Sequence, residues 1–250
     1  DTNGQKTENS RNIVFFAGGN IKVNHNVIFQ RPQTSASKTG ACVGYKHCSD
    51  VTPSTFEVSH NTMWNCYDAA IQSYTYGGRF HHNLILNSTR AFRIWTSGGY
   101  TDLSDYIIEK NTFYETQVLD YRPSTIIEGG GNYGGMIYRN NISVFSGPYT
   151  GDSGGMHNFD PYGPNFYYTA NLSSSKLSLS NNCYYNPTGP VSISYYMAND
   201  TTARSLGDIY TFSAWQGLGF DSGSAVINPQ FSSYYLPAAS QCQNAGMYAP

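Results

Sequence analysis

Only 12 % of this 250-residue chain is charged, so places where cations, carboxylates and histidines recur at matched spacing stand out. Arg93, Asp120, Arg122, His157 and Asp160 are such residues. β-Elimination on a uronic acid needs a cation against the carboxylate, a base for the C5 proton and an acid for the leaving oxygen. Arg93 and Arg122 suit the first role; His157, Lys46 and Tyr74 suit the proton transfers. Hydrolysis instead needs two carboxylates flanking the bond. Asp120 and Asp160 answer that need, three positions apart along successive strands and about 11 Å apart at Cα, with Asp152 in reserve. Lys46, Gln72, Tyr74, Trp95 and Phe159 add aromatic planes and hydrogen-bonding groups, which suit the apolar faces and polar edges of sugar rings. They are the expected substrate-binding residues.

Residues this far apart in the chain meet only if a repeated element stacks them. One pattern recurs: an alternating apolar stretch, an Asn, then a second apolar stretch. It spans 21–29, 56–64, 80–86, 107–114, 136–144 and 177–185, with Asn26, Asn61, Asn83, Asn111, Asn141 and Asn182 as anchors. The period-2 alternation and Gly-rich turns predict short strands rather than helices. A further strand follows each anchor, at 41–47, 69–75, 90–96, 117–123 and 154–160. Alternation turns Val43, Ile71, Phe92, Leu119 and Met156 inward, and Gly44, Gln72, Arg93, Asp120 and His157 outward. Lys46, Tyr74, Trp95, Arg122 and Phe159 form the next outward column. Such repeats predict an all-β fold, a single-stranded parallel β-helix of about six rungs whose Asn side chains bond into a ladder. The expected divisions are a polar segment 1–10, the β-helix 11–197 and an irregular C-terminal tail 198–250 packed on the last rung.

With these blocks the chain resembles the right-handed parallel β-helix proteins of the pectate-lyase-like superfamily. Its tail adds to the likeness, through Phe212-Ser213-Ala214-Trp215-Gln216, Gly219-Phe220-Asp221, Ser224, Asn228-Pro229-Gln230-Phe231 and Ser240-Gln241-Cys242. The resemblance implies a secreted protein that binds a polysaccharide and, as an enzyme, cleaves it as a lyase or glycoside hydrolase. The Lys/Arg pair of alginate-lyase-like members and the Asn-Thr-Asp, Asp-Asp and Gly-His-Gly signatures of polygalacturonase-like members do not occur. The alternative is a non-catalytic fibre or spike protomer that stacks end to end as a homo-oligomer, since residues 11–16 read as a strand already inside a rung.

Other classes fall away on composition. No apolar run reaches the ~18 residues of a membrane helix, and a net charge of -2 without a basic stripe argues against nucleic acid. The chain opens at Asp1 without initiator Met or signal peptide, as a processed or trimmed chain does. No CxxC pair occurs among Cys42, Cys48, Cys66, Cys183 and Cys242. Cys42 and Cys48 are candidates for a small disulfide loop, and the odd count leaves a thiol over. Sequons stand at Asn87, Asn141, Asn171 and Asn199. An inward Asn141 leaves Asn87, Asn171 and Asn199 as acceptors. His25, His60, His82, Lys110, Asn140 and Asn181 precede the anchors as a polar column; stacked histidines can bind a transition metal, but a turn facing water is the simpler account. No metal or cofactor is expected.

Overall fold

The computed structural model describes residues 13–15, 20–29, 41–45, 56–66, 69–73, 77–88, 90–94, 102–104, 106–114, 125–129, 132–134, 136–144, 165–168, 177–187, 189–197, 208–232 and 242–243. Short strands dominate, and they form three long sheets and one two-stranded parallel pair, Asp102–Ser104 with Asn132–Gly134. The first sheet orders Ile13–Phe15, Val43–Tyr45, Ile71–Ser73, Arg90–Ile94, Thr125–Gly129, Asn165–Tyr168 and Ser192–Met197 in parallel. The second orders Ile21–Asn24, Phe56–Ser59, Gly78–His81, Tyr106–Glu109, Met136–Arg139 and Leu177–Ser180. The third orders Val27–Phe29, Thr62–Trp64, Leu84–Leu86, Thr112–Tyr114, Ile142–Val144, Cys183–Tyr185 and Ala225–Val226. The chain visits the sheets in turn and adds the next strand of each beside the last. That all-β, parallel topology is compatible with a β-helix.

Alternation places one column of each sheet inside. Val23, Val58, Phe80, Ile108, Tyr138 and Leu179 stack in register along the second sheet, and Ile28, Met63, Ile85 and Phe113 along the third; all are buried. Val43, Ile71 and Phe92 do the same in the first. Aromatic neighbours lock the stack: Phe80 lies over Phe92 with centroids 5.3 Å apart and meets Phe56 edge-on at 5.7 Å.

The corner between the second and third sheets is a fixed pair of residues. Its first member is left-handed each time: His25, His60, His82, Lys110, Asn140 and Asn181 have φ between 53° and 55°. Its second member is the anchor Asn, turned inward. The Oδ1 of each next anchor accepts from both the backbone N–H and the Nδ2 of the one before, from Asn26–Asn61 through Asn141–Asn182, at 2.9–3.3 Å. The other Nδ2 hydrogen reaches back to a strand carbonyl, as from Asn83 to Val58 at 2.8 Å and from Asn111 to Phe80 at 2.9 Å. A buried corner would otherwise strand these backbone groups.

The ladder stops at the tail. The Nδ2 of Asn182 donates to Asp221 Oδ1 at 2.9 Å, and the backbone N–H of Asn182 donates to Ser224 Oγ at 2.7 Å. Ahead of Asp221, Asp208–Thr211 pairs antiparallel with Ser192–Met197, and a helix, Phe212–Gly217, starts where Thr211 Oγ1 accepts from the N–H of Ala214. Trp215 is fully buried and stacks on Phe220 at 4.3 Å.

Two disulfides are described, Cys42–Cys66 and Cys183–Cys242. The expected Cys42–Cys48 loop is therefore corrected: Cys42 pairs with Cys66, whose Cα lies 5.5 Å away. The coil returns a residue to its neighbour after one circuit, and local spacing does not register that proximity. Cys48 lies outside the described residues.

Candidate functional site

The first sheet carries the outward column expected to bind substrate. Its backbone register sets Gly44 beside Gln72 and Gln72 beside Arg93. The next strand is Thr125–Gly129, not one from 117–123, so Glu128 lies beside Arg93 where Asp120 was expected. The strand after it is Asn165–Tyr168, which puts Tyr167 at the place given to His157. Thr125-Ile126-Ile127 is a β-branched run, whereas 117–123 ends in a proline, which cannot donate to a ladder. Gln72 is only 2 % exposed; alternation fixes the side on which a side chain leaves the sheet, not what covers that side. Lys46, Tyr74, Trp95, Asp120, Arg122, Asp152, His157, Phe159 and Asp160 lie outside the described residues, as do Asn171 and Asn199.

The other two sequons are described. Asn141 is fully buried, with its Nδ2 committed to Ile108 and Asn182, so it cannot carry a glycan in the folded chain. The Nδ2 of Asn87 donates to Asn65 Oδ1 at 2.8 Å.

A second polar surface, missed in the sequence, runs along the outer side of the second sheet. Lys22, Glu57 and Arg79 are successive register partners, and one step on so are Ser59, His81, Glu109 and Arg139. Glu109 is a hub. Its Oε1 accepts from Arg79 at 2.6 Å and its Oε2 pairs with Arg139 at 2.8 Å, while its side chain is only 5 % exposed. Burial alone would raise the Glu109 carboxyl, but the two guanidinium groups outweigh it and hold it below the usual range. Glu57 is also held low, first by Lys22 Nζ at 3.1 Å, then by Ser59 and His81.

Histidines gather where this surface meets the corner column. His25 stacks on His60 at 4.9 Å and His60 on His82 at 4.8 Å, with rings within 10° of parallel. His81 reaches Glu57 Oε1 through Nε2 at 3.3 Å, and its Nδ1 lies 2.8 Å from Nδ1 of His82. Burial, then His81 and His60, push the His82 imidazolium down to about 4; burial and Arg79 lower that of His81. His82 is therefore a neutral imidazole at neutral pH. Among the described residues, His60, His81 and His82 are the group able to hold a metal, with ligand atoms within 4.8 Å of one another. Only the corner histidines had a sequence signal. His81 meets Glu57 through strand pairing, which no local pattern reveals.

The third sheet is a poorer surface for a sugar. Phe29 and Trp64 stack at 5.2 Å and 12°, so each covers a face of the other and offers solvent its rim. Near the tail the same side is covered: Ile142, Val144, Cys183 and Cys242 cluster with Ile227 and Phe231. No helix among the described residues is long and apolar enough to cross a membrane. No family model matches this chain, nor does any curated protein or solved structure.

Proposed function

We propose that this chain is a secreted, right-handed parallel β-helix of about six rungs, of the pectate-lyase-like kind, that holds an extended polysaccharide across the outer side of its first sheet. The observation that carries the reading is the inequality of the corners. Between the second and third sheets every connection is a residue pair. Into and out of the first sheet the connections are uneven: 65–70, 74–77 and 87–89 are short, whereas 30–42, 46–55, 115–124 and 145–164 are long. Long connections on a rigid scaffold are where binding and catalytic residues concentrate. The backbone register of that sheet pairs Arg93 with Glu128. Right-handedness rests on the general preference of parallel crossovers, and secretion on the two disulfides.

Affinity electrophoresis and calorimetry against alginate, pectate and glycosaminoglycans test this directly. Wild-type protein binds at least one polymer, and Arg93→Ala or Trp95→Ala weakens that binding at least tenfold. Absence of binding across the panel removes the reading. Ultraviolet absorbance from unsaturated uronate identifies a lyase, and new reducing ends without it identify a hydrolase.

One observation favours the second reading, an adhesive or structural protomer that associates through its end. Val27 and Phe29, on the outermost described strand of the third sheet, are 68 % and 51 % exposed. Size-exclusion chromatography at rising concentration separates the two.

A further inference from the structure

The histidine cluster holds more order than a turn requires. Left-handed backbone suits His, Asn and Asp, which accounts for His25, His60 and His82 at their corners. It does not account for His81, a strand residue in register with Ser59 and Glu109 whose ring is largely buried. One nitrogen of that ring faces Glu57, and the other faces His82. Glu57 is itself fixed by Lys22 at 3.1 Å and Ser59 Oγ at 3.2 Å. A carboxylate that takes the N–H of an imidazole sets the tautomer and leaves the opposite lone pair pointing away, as around metal-ligating histidines.

We infer that His60, His81 and His82 bind one divalent transition-metal ion of the zinc, cobalt or copper kind, with Glu57 orienting His81. Imidazole nitrogen selects this class, whereas calcium and magnesium want carboxylate and carbonyl oxygen. The nearest carboxylate, Glu57, is committed to Lys22 and His81. Ligands about 2.1 Å from a metal stand about 3.0–3.4 Å apart at cis or tetrahedral angles, and the two Nδ1 atoms at 2.8 Å need only a small opening. His60 turns inward by a side-chain rotation to close the third position, and water completes a tetrahedron. The hydrogen shared by the Nδ1 atoms passes to Nε2 of His82, so both lone pairs face the ion and no net proton is released. Of the nearby cations, Lys22 and Arg79 are paired with Glu57 and Glu109, while Lys110 stands at the corner next to His82 and is exposed.

The test uses the untagged chain with Cys48 alkylated, so that no thiol competes. Cobalt titration is followed by visible ligand-field absorption, and zinc binding by calorimetry. One equivalent of either metal binds, and zinc displaces cobalt. His81→Ala and His82→Asn each weaken binding at least tenfold; Asn retains the left-handed corner, so His82→Asn stays folded by circular dichroism. Glu57→Gln weakens binding about tenfold. His25→Asn, on the ring stack but outside the cluster, leaves affinity unchanged. Lack of a saturable single site, wild-type affinity in His81→Ala and His82→Asn, or a comparable loss in His25→Asn overturns the assignment.

Discussion

Asp221 shows what one side chain does to a buried corner. It is fully buried, with φ at 57°. Its oxygens accept from Ser224 Oγ, Asn182 Nδ2, Tyr184 Oη and Trp215 Nε1 at 2.5–3.2 Å. Burial raises its carboxyl, and the four donors restrain that rise. Asp221→Asn keeps the shape and tolerates the backbone, but its amide puts two hydrogens before Asn182 or Trp215, neither of which can accept there. The variant should lose about 1–3 kcal/mol in urea unfolding. Glu109 predicts a pH effect of definite sign. Its folded carboxyl lies below the ordinary value, so its stabilisation is present above the ordinary carboxylate range and is lost as pH falls through the lowered value. Glu109→Gln should be about 2 kcal/mol less stable than wild type at neutral pH, with the gap closing as pH falls through the lowered value. A gap that persists in acid would assign the loss to packing rather than charge.

At the scale of the element, the two-residue corner divides its work between backbone and side chain. Lys110 has φ at 54° and is exposed. Lys110→Asn should stay within about 0.5 kcal/mol of wild type, whereas the β-branched Lys110→Val should cost about 1–3 kcal/mol. Asn83→Ala, at the second position of a corner of the same shape, deprives Asn61 of its acceptor and Val58 of its donor inside the core. About 3 kcal/mol or more follows. Asn83→Asp should also fail, since a second acceptor would face Val58 and the Oδ1 of Asn111. The corners were legible in the sequence because each is local: alternation, a polar residue and an Asn on adjacent positions. The first sheet was legible at Val43, Ile71 and Phe92, where the alternation of apolar residues is local and 65–70 and 87–89 lead directly into the strands of Ile71 and Phe92. It was lost beyond Phe92, where 115–124 and 145–164 hold several stretches able to pair and tertiary pairing chooses among them. The Glu57–His81 and Cys42–Cys66 contacts were hidden for the same reason, since each spans a full circuit of chain.

For the whole molecule, the two disulfides tie distant parts of the chain. Cys42–Cys66 closes a separation of 24 residues across one circuit. Replacing both cysteines by Ala should lower stability by about 3 kcal/mol, read as a drop in urea midpoint, with a slope that rises if at all because the unfolded chain is less constrained. The asparagine ladder also has a direction. Every inter-anchor bond runs from an Nδ2 or N–H toward the oxygen of the following anchor, and the final oxygens belong to an acid with no amide of its own to pass the pattern on. A further copy therefore finds no hydrogen to receive from Asp221 and no lone pair unclaimed by its four donors. Among the described residues, growth by repeated addition is closed at that terminus, which leaves the edge beside Val27–Phe29 as the open end at which two copies can meet. Light scattering at high concentration should accordingly find pairs at most.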